Sequence, residues 1–404
     1  MNTAMQFNPL SPEFQANPYP SYDMLRENIP VFFFPDWNSW FLTRHEDNAA
    51  ALKHPHFGRE IERVMSPEEL GWGKAAEQVQ PLYDMQGMWM LLKDPPEHTH
   101  LRTLVHRAFT PRMVERLRER TQFITNDLID KAQVNGGMDL INEFALLLPV
   151  TVIAEMLGVP VSDYATLHDW STGLAHTLEL GQSEDTVVRG AEATVEFSAY
   201  IRAMIAERRK NPQDDMISAL VAAETEGDKL SEDEMVAMCI LLLFAGHETT
   251  VNLIGNGTLA LMRHPNQWEK LKADPSLVKL ATEELLRYDS PVQMTMRWVM
   301  EDTEFAGQQF RRGQQVATLI GAANHDPARF ANPGELDITR DPNPHIAFGS
   351  GIHFCLGAPL ARMEGQIAFA ALAKRLPNLK LVDENPPYRD TYVLRGLAEL
   401  PVTF

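Results

Sequence analysis

The chain has 404 residues, 44% hydrophobic and 23% charged, which is the composition of a globular protein with a large buried core. Its 36 lysines and arginines against 55 aspartates and glutamates leave a net charge of −19, which argues against general nucleic-acid binding. Two cysteines, Cys239 and Cys355, are too few for a disulfide scaffold or a cysteine-only iron–sulfur centre.

The first nine residues have neither a basic start nor an apolar core, so no signal peptide is expected. Pro9, Pro12, Pro18 and Pro20 suggest an extended entry segment. Residues 31–45 read as two strands around a turn. Helical periodicity dominates from residue 97 to about 290, and Thr110-Pro111, Asn211-Pro212, His264-Pro265 and Asp274-Pro275 look like helix starts. The apolar runs 144–161 and 235–262 carry Glu155, His247, Glu248 and Asn256 among others, so neither is expected to cross a membrane. After Pro291 the texture turns to strands, at 297–300 and 315–320, with a turn at 305–308. A Pro/Asn/Asp-rich loop, 324–344, follows, and such a loop in a compact domain is usually functional. Short strands around 379–381 and 400–402 close the chain. With no repeat and no Gly/Ser linker, a single domain over 1–404 is expected, mainly α with small β-sheets.

Four motifs carry chemistry. Cys355 lies in Phe348-Gly349-Ser350-Gly351-Ile352-His353-Phe354-Cys355-Leu356-Gly357, just ahead of a helix-like stretch. Gly351 and Gly357 permit close backbone approach, and a helix N-terminus favours a thiolate. The bland alternative is a buried structural cysteine; zinc lacks partner cysteines. Ala245-Gly246-His247-Glu248-Thr249-Thr250 interrupts an apolar helix with polar groups, which are costly there unless satisfied or useful. It reads as a site for a small ligand and water, or as a cap or packing kink. Val251 stands where a zinc protease needs its second histidine. Glu284 and Arg287 share a helix face, as do His98 and Arg102. With Arg297 and His353, the latter two could clamp carboxylates.

These elements, in this order, resemble a bacterial soluble cytochrome P450 over essentially the whole chain, including Asp94-Pro95-Pro96-Glu97-His98 and Leu394-Arg395-Gly396-Leu397. The resemblance implies the triangular-prism fold and a haem-thiolate monooxygenase, which inserts one oxygen atom from O2 into an apolar substrate. It makes Cys355 the axial ligand of haem b (iron protoporphyrin IX), with Phe348, Gly351, Gly357 and Ala245 around the haem. His98, Arg102, Arg297 and His353 become its carboxylate partners. Glu284, Arg287 and Arg340 become a structural ion pair with its support. Glu248 and Thr249 become the acid and alcohol that deliver protons to dioxygen. Met88, Leu241, Leu242, Val292, Gln293 and Val393 are expected to line the substrate pocket.

No reductase segment is recognisable, so electrons are expected from NAD(P)H through a ferredoxin or flavodoxin and its reductase. The basic stretch 106–120, around Arg112 and Arg116, suits such a carrier; a solvated helix face is the plain alternative. A cytoplasmic location without membrane insertion is expected. A peroxide-driven peroxygenase and a non-catalytic haem-binding or sensor protein remain as alternatives.

Overall fold

The computed structural model describes residues 7–109, 111–225 and 230–404. It is 58% helical with small sheets, as the periodicity predicts. Contacts group the chain into two compact units. One comprises the residues up to Ile61, Thr121–Leu147 and Thr249–Phe404; the other comprises Glu62–Arg120 and Leu148–Glu248.

The first unit holds all ten strands found among the described residues: β1 (Val31–Phe34), β2 (Ser39–Leu42), β3 (Phe57–Gly58), β4 (Gly137–Asp139), β5 (Met294–Val299), β6 (Thr303–Phe305), β7 (Gln308–Phe310), β8 (Gln315–Leu319), β9 (Lys380–Leu381) and β10 (Pro401–Thr403). Five form a sheet in the order β1-β2-β8-β5-β3. β1 and β2 are an antiparallel hairpin with Val31 opposite Leu42, whereas β2 runs parallel to β8. In the β5–β8 ladder Arg297 stands opposite Val316. Leu42, Phe57, Val299, Phe310 and Val316 form a core against this sheet, the aromatic and β-branched surface that pleated strands favour. β6 and β7 make the hairpin expected at 305–308, and β4, β10 and β9 form the third sheet.

The N-terminal prolines do not mark an extended segment. Pro12 opens a helix, Pro12–Ala16, whose N-cap Ser11 accepts from Phe14 N–H, and Pro20 lies in the first turn of Tyr19–Asn28. A first-turn proline lacks only an N–H that would have no helical partner anyway. Asn211-Pro212 likewise ends a helix, Glu184–Lys210, rather than starting one. Pro265 does open Pro265–Ala273.

The 32-residue helix Glu232–Arg263 is unbroken, so the polar run 245–250 is neither an N-cap nor a helix break. By length and composition this helix could cross a membrane, but 78% of its most apolar window is packed inside the protein. That is the burial of a core helix. Cys239, on this helix, is fully buried and free, and burial pushes its thiol up to about 12.

Candidate functional site

In the first unit, the cysteine loop is set by backbone geometry. Gly349 and Gly351 have φ of 68° and 72°, the left-handed region that favours glycine. A Cβ on Gly351 would also stand 2.7 Å from the Leu52 carbonyl oxygen, so the chain passes too close for a side chain. The loop closes through Cys355 N–H donating to the Phe348 carbonyl at 3.0 Å. The N-cap of helix Ala358–Arg375 is Gly357, which places Cys355 two residues outside the helix N-terminus. A Cβ at Gly357 would approach Cys355 Sγ to 3.9 Å. Cys355 is half-buried and free of disulfide. His353 is half-buried beside it, and Phe348 is braced by the Arg362 guanidinium, 4.5 Å from the ring centroid.

Arg362 belongs to a network that the sequence reading missed. It makes a two-pronged bond to Glu283 at 2.7 and 2.8 Å, and His345 Nε2 lies 3.1 Å from the same carboxylate. Burial would raise Glu283, but hydrogen bonds from His345 and Arg362 outweigh it and hold the carboxyl at about 2. The adjacent Glu284 is fully buried with Arg287, bound in two places at 2.8 Å. Glu284 also accepts from Arg340 Nε at 3.0 and 3.1 Å, from Asn343 and from the Asp337 N–H. Arg287 in turn donates to the carbonyls of Asn324, Pro333 and Glu335. The helix Val278–Tyr288 thus pins the irregular 324–344 loop that leads into the cysteine turn. Arg297, on β5, is 3% exposed and donates to the Met296 carbonyl at 2.8 Å.

In the second unit, helix Glu97–Ala108 carries His98 and Arg102 on one face. His98 is 2% exposed; burial and the neighbouring Arg102 charge lower its pKa, which keeps it neutral near pH 7. Along the 32-residue helix, Leu242, Ala245, Gly246 and Thr249 remain accessible while their neighbours are buried. Their spacing, i, i+3, i+4, i+7, is one helical face, of which Thr249 already belongs to the first unit. Gly246 backs onto Ile153, which a Cβ would meet at 3.0 Å. Glu248 is 3% exposed, accepts from Thr172 Oγ1 at 3.2 Å and lies 3.5 Å from His247 Nε2. Trp89 packs on Phe244 with ring centroids 5.2 Å apart, and its buried indole N–H has no hydrogen-bond acceptor among the described residues.

Several expected pocket residues fall otherwise. Gln293 is 2% exposed and its amide is engaged: Nε2 donates to the Ser290 carbonyl and Oε1 accepts from Tyr22. Leu241 is packed at 4% exposure, because it lies one residue off the accessible face. Met88, Leu242, Val292 and Val393 stay half-accessible. In the basic stretch, Thr110 and the side chains of Arg107, Ala108 and Pro111 lie outside the described residues. Arg118 pairs with Glu115 and Arg120 with Glu155. Arg112 and Arg116 are exposed and make no ion pair among the described residues.

The residues present suit a haem. A soft sulfur donor sits by a helix N-terminus with a glycine rather than a side chain at position 357, and the apolar helix leaves Leu242, Ala245, Gly246 and Thr249 accessible along one face. Arg297 and His353, within the first unit, and His98, Arg102 and the Trp89 N–H, within the second, are each donor groups of the kind that carboxylates accept. No other cysteine approaches to make a zinc or iron–sulfur set.

Residues 185–394 match the family described as Cytochrome P450. The polyketide biosynthesis cytochrome P450 PksS of Bacillus subtilis is 43% identical over 99% of this chain and 98% of its own. The crystal structure of P450BioI in complex with hexadec-9Z-enoic acid ligated acyl carrier protein superposes with a TM-score of 0.91 at 43% identity, covering 98% of this chain and 100% of that one. Myxobacterial CYP267B1 in complex with myristic acid gives a TM-score of 0.88 at 40% identity, covering 98% of each chain.

Proposed function

The chain belongs to the cytochrome P450 family and is a haem-thiolate monooxygenase, and from that premise we propose how its own residues divide the work. Haem b, when bound, supplies the iron at which O2 is reduced and split, and a thiolate ligand favours that cleavage. Cys355 provides the thiolate. The helix N-terminus beyond Gly357 keeps the sulfur charged, and the positive-φ glycines hold it forward of the chain. Phe348, steadied by Arg362, shields it from water. His98, Arg102, Arg297 and His353 bind the haem carboxylates, for which guanidinium forks are well matched. The single observation carrying this reading is the Cys355 turn: a cysteine outside any disulfide, its backbone N–H closed onto the Phe348 carbonyl, two residues ahead of a helix N-cap.

Thr249 donates its hydroxyl toward the oxygen being reduced, and Glu248 resupplies the proton. Burial and the Thr172 hydrogen bond fix the Glu248 carboxyl on that task. Electrons come from a separate acidic ferredoxin or flavodoxin, which docks on the exposed Arg112 and Arg116. The substrate is a long acyl chain. The half-accessible Met88, Leu242, Val292 and Val393 are apolar, and two similar structures hold an acyl group. The net charge of −19 and the buried 32-residue helix support a cytoplasmic enzyme.

The test is spectroscopic. Reduced protein under carbon monoxide gives the red-shifted Soret band of a thiolate haem, and Cys355→Ala abolishes it; an unchanged band in that variant overturns the assignment. Myristic acid, free or carrier-bound, then shifts the haem spin state, and a bare fatty acid without effect beside an active carrier-bound form selects the latter. Turnover with O2 and carrier but not with peroxide alone rejects the peroxygenase alternative.

A further inference from the structure

Three ligand-type side chains meet within the second unit. His168, on helix Tyr164–His176, and His247 and Glu248, on the 32-residue helix, each present one donor atom, and the three atoms lie within 4.8 Å of one another. His247 and Glu248 are 0% and 4% exposed, while His168 is half-buried. His247 Nδ1 lies 2.9 Å from the Leu243 carbonyl. A carbonyl only accepts, so Nδ1 carries a hydrogen and Nε2 is the ring nitrogen left to coordinate, 3.5 Å from Glu248 Oε1. A backbone carbonyl fixing one ring nitrogen so that the other can coordinate is the usual support of a metal-bound histidine. Thr172 steadies the carboxylate from the other side.

We propose that His168, His247 and Glu248 form a site for a transition-metal dication of the Zn2+ class, and that its occupancy withdraws Glu248 from proton delivery. The second half rests on the proton role given to Glu248 above. Two imidazoles and one carboxylate with positions left for water are a donor set that zinc accepts, whereas Mg2+ and Ca2+ prefer all-oxygen shells. Zinc bonds of about 2.0–2.1 Å put neighbouring ligand atoms about 3.4 Å apart in a tetrahedron. The His247–Glu248 edge of 3.5 Å already has that length. The remaining adjustment falls on His168, the one member of the three that solvent reaches. A carboxylate bound to a dication neither gives nor takes a proton readily, so delivery through Glu248 stops, and O2 with two electrons from the carrier and two protons from bulk water leaves as H2O2.

The test uses haem-loaded protein dialysed against zinc chloride in a non-chelating buffer, with bound metal measured by elemental analysis. Wild type is expected to hold one equivalent of zinc that His168→Ala loses or binds about tenfold or more weakly. Because buried His247 is riskier to replace, Glu248→Gln is the second variant, and it should weaken the same equivalent. In carrier-driven turnover, zinc should raise the peroxide share of wild type, reversibly with chelator, and leave the ratio in His168→Ala unmoved. Zinc binding indifferent to both substitutions overturns the site. His168-dependent binding without a change in coupling overturns the control it exerts. In that event Glu248→Gln alone decides the relay: uncoupling without zinc keeps the proton role, and full coupling removes it.

Discussion

At the scale of the residue, Thr249 is part-accessible while its neighbour Glu248 is buried, and the proton role proposed for the pair is tested first at the hydroxyl. Thr249→Ala is expected to retain the reduced-CO spectrum but to lower product formed per NAD(P)H roughly tenfold or more, with peroxide making up the difference. Parallel peroxide and product assays check it. Glu364, on the helix after Cys355, is fully buried, and burial raises its carboxyl to about 8, with the Thr250 hydroxyl partly offsetting the rise. The folded protein therefore holds a proton that the unfolded chain, with an ordinary value of 4.5, has released. The resulting stability is whole below about pH 4.5 and is lost as pH rises through about 8. Glu364→Gln should flatten this slope. Its melting temperature should gain on wild type between pH 6 and 9, by about 2–4 °C for each kcal/mol relieved. A melting difference that does not vary with pH counts against the buried acid.

Among elements, the strongest tie is the helix Val278–Tyr288 to the 324–344 loop. Glu284 and Arg287 are fully buried and every polar contact they make reaches that loop or each other. Glu284→Ala leaves the Arg287 charge in the interior with carbonyl partners alone. Removing one member of such a pair costs about 3–5 kcal/mol, against little for an exposed pair. The expected result is a fall in melting temperature of roughly 10 °C and weakened haem retention, read by the ratio of Soret to protein absorbance. The Arg118–Glu115 pair is the control: both side chains are exposed, and Arg118→Ala should change neither quantity.

At the scale of the whole molecule, the net charge is −19, and Arg112 and Arg116 are exposed with no ion pair among the described residues. For the acidic carrier proposed above, charge at these two positions would matter for encounter more than for the bound state. Arg112→Glu with Arg116→Glu should lower ferredoxin-supported turnover about tenfold at low salt, and the deficit should shrink as salt screens it. The reduced-CO spectrum obtained with dithionite, which needs no carrier, should stay unchanged. A lost spectrum in this variant would place these arginines in folding instead of docking.

The sequence by itself determined the family, the cysteine turn and the polar interruption of the long helix, because each depends on residues close in the chain. Glycines two to six residues from Cys355 dictate their own backbone angles, and periodicity reveals which helix is buried. Only the tertiary structure decided which partners meet. Glu283 reaches Arg362 across 79 positions and His345 across 62, and no local pattern encodes such a pairing. The same limit explains Gln293 and Leu241: their residue types fit a pocket, but burial against Tyr22 and a one-residue rotation around the helix axis turn them away. The N-terminal prolines misled because proline breaks a helix and opens one equally well, and the first-turn position that distinguishes the two is fixed by what the segment packs against.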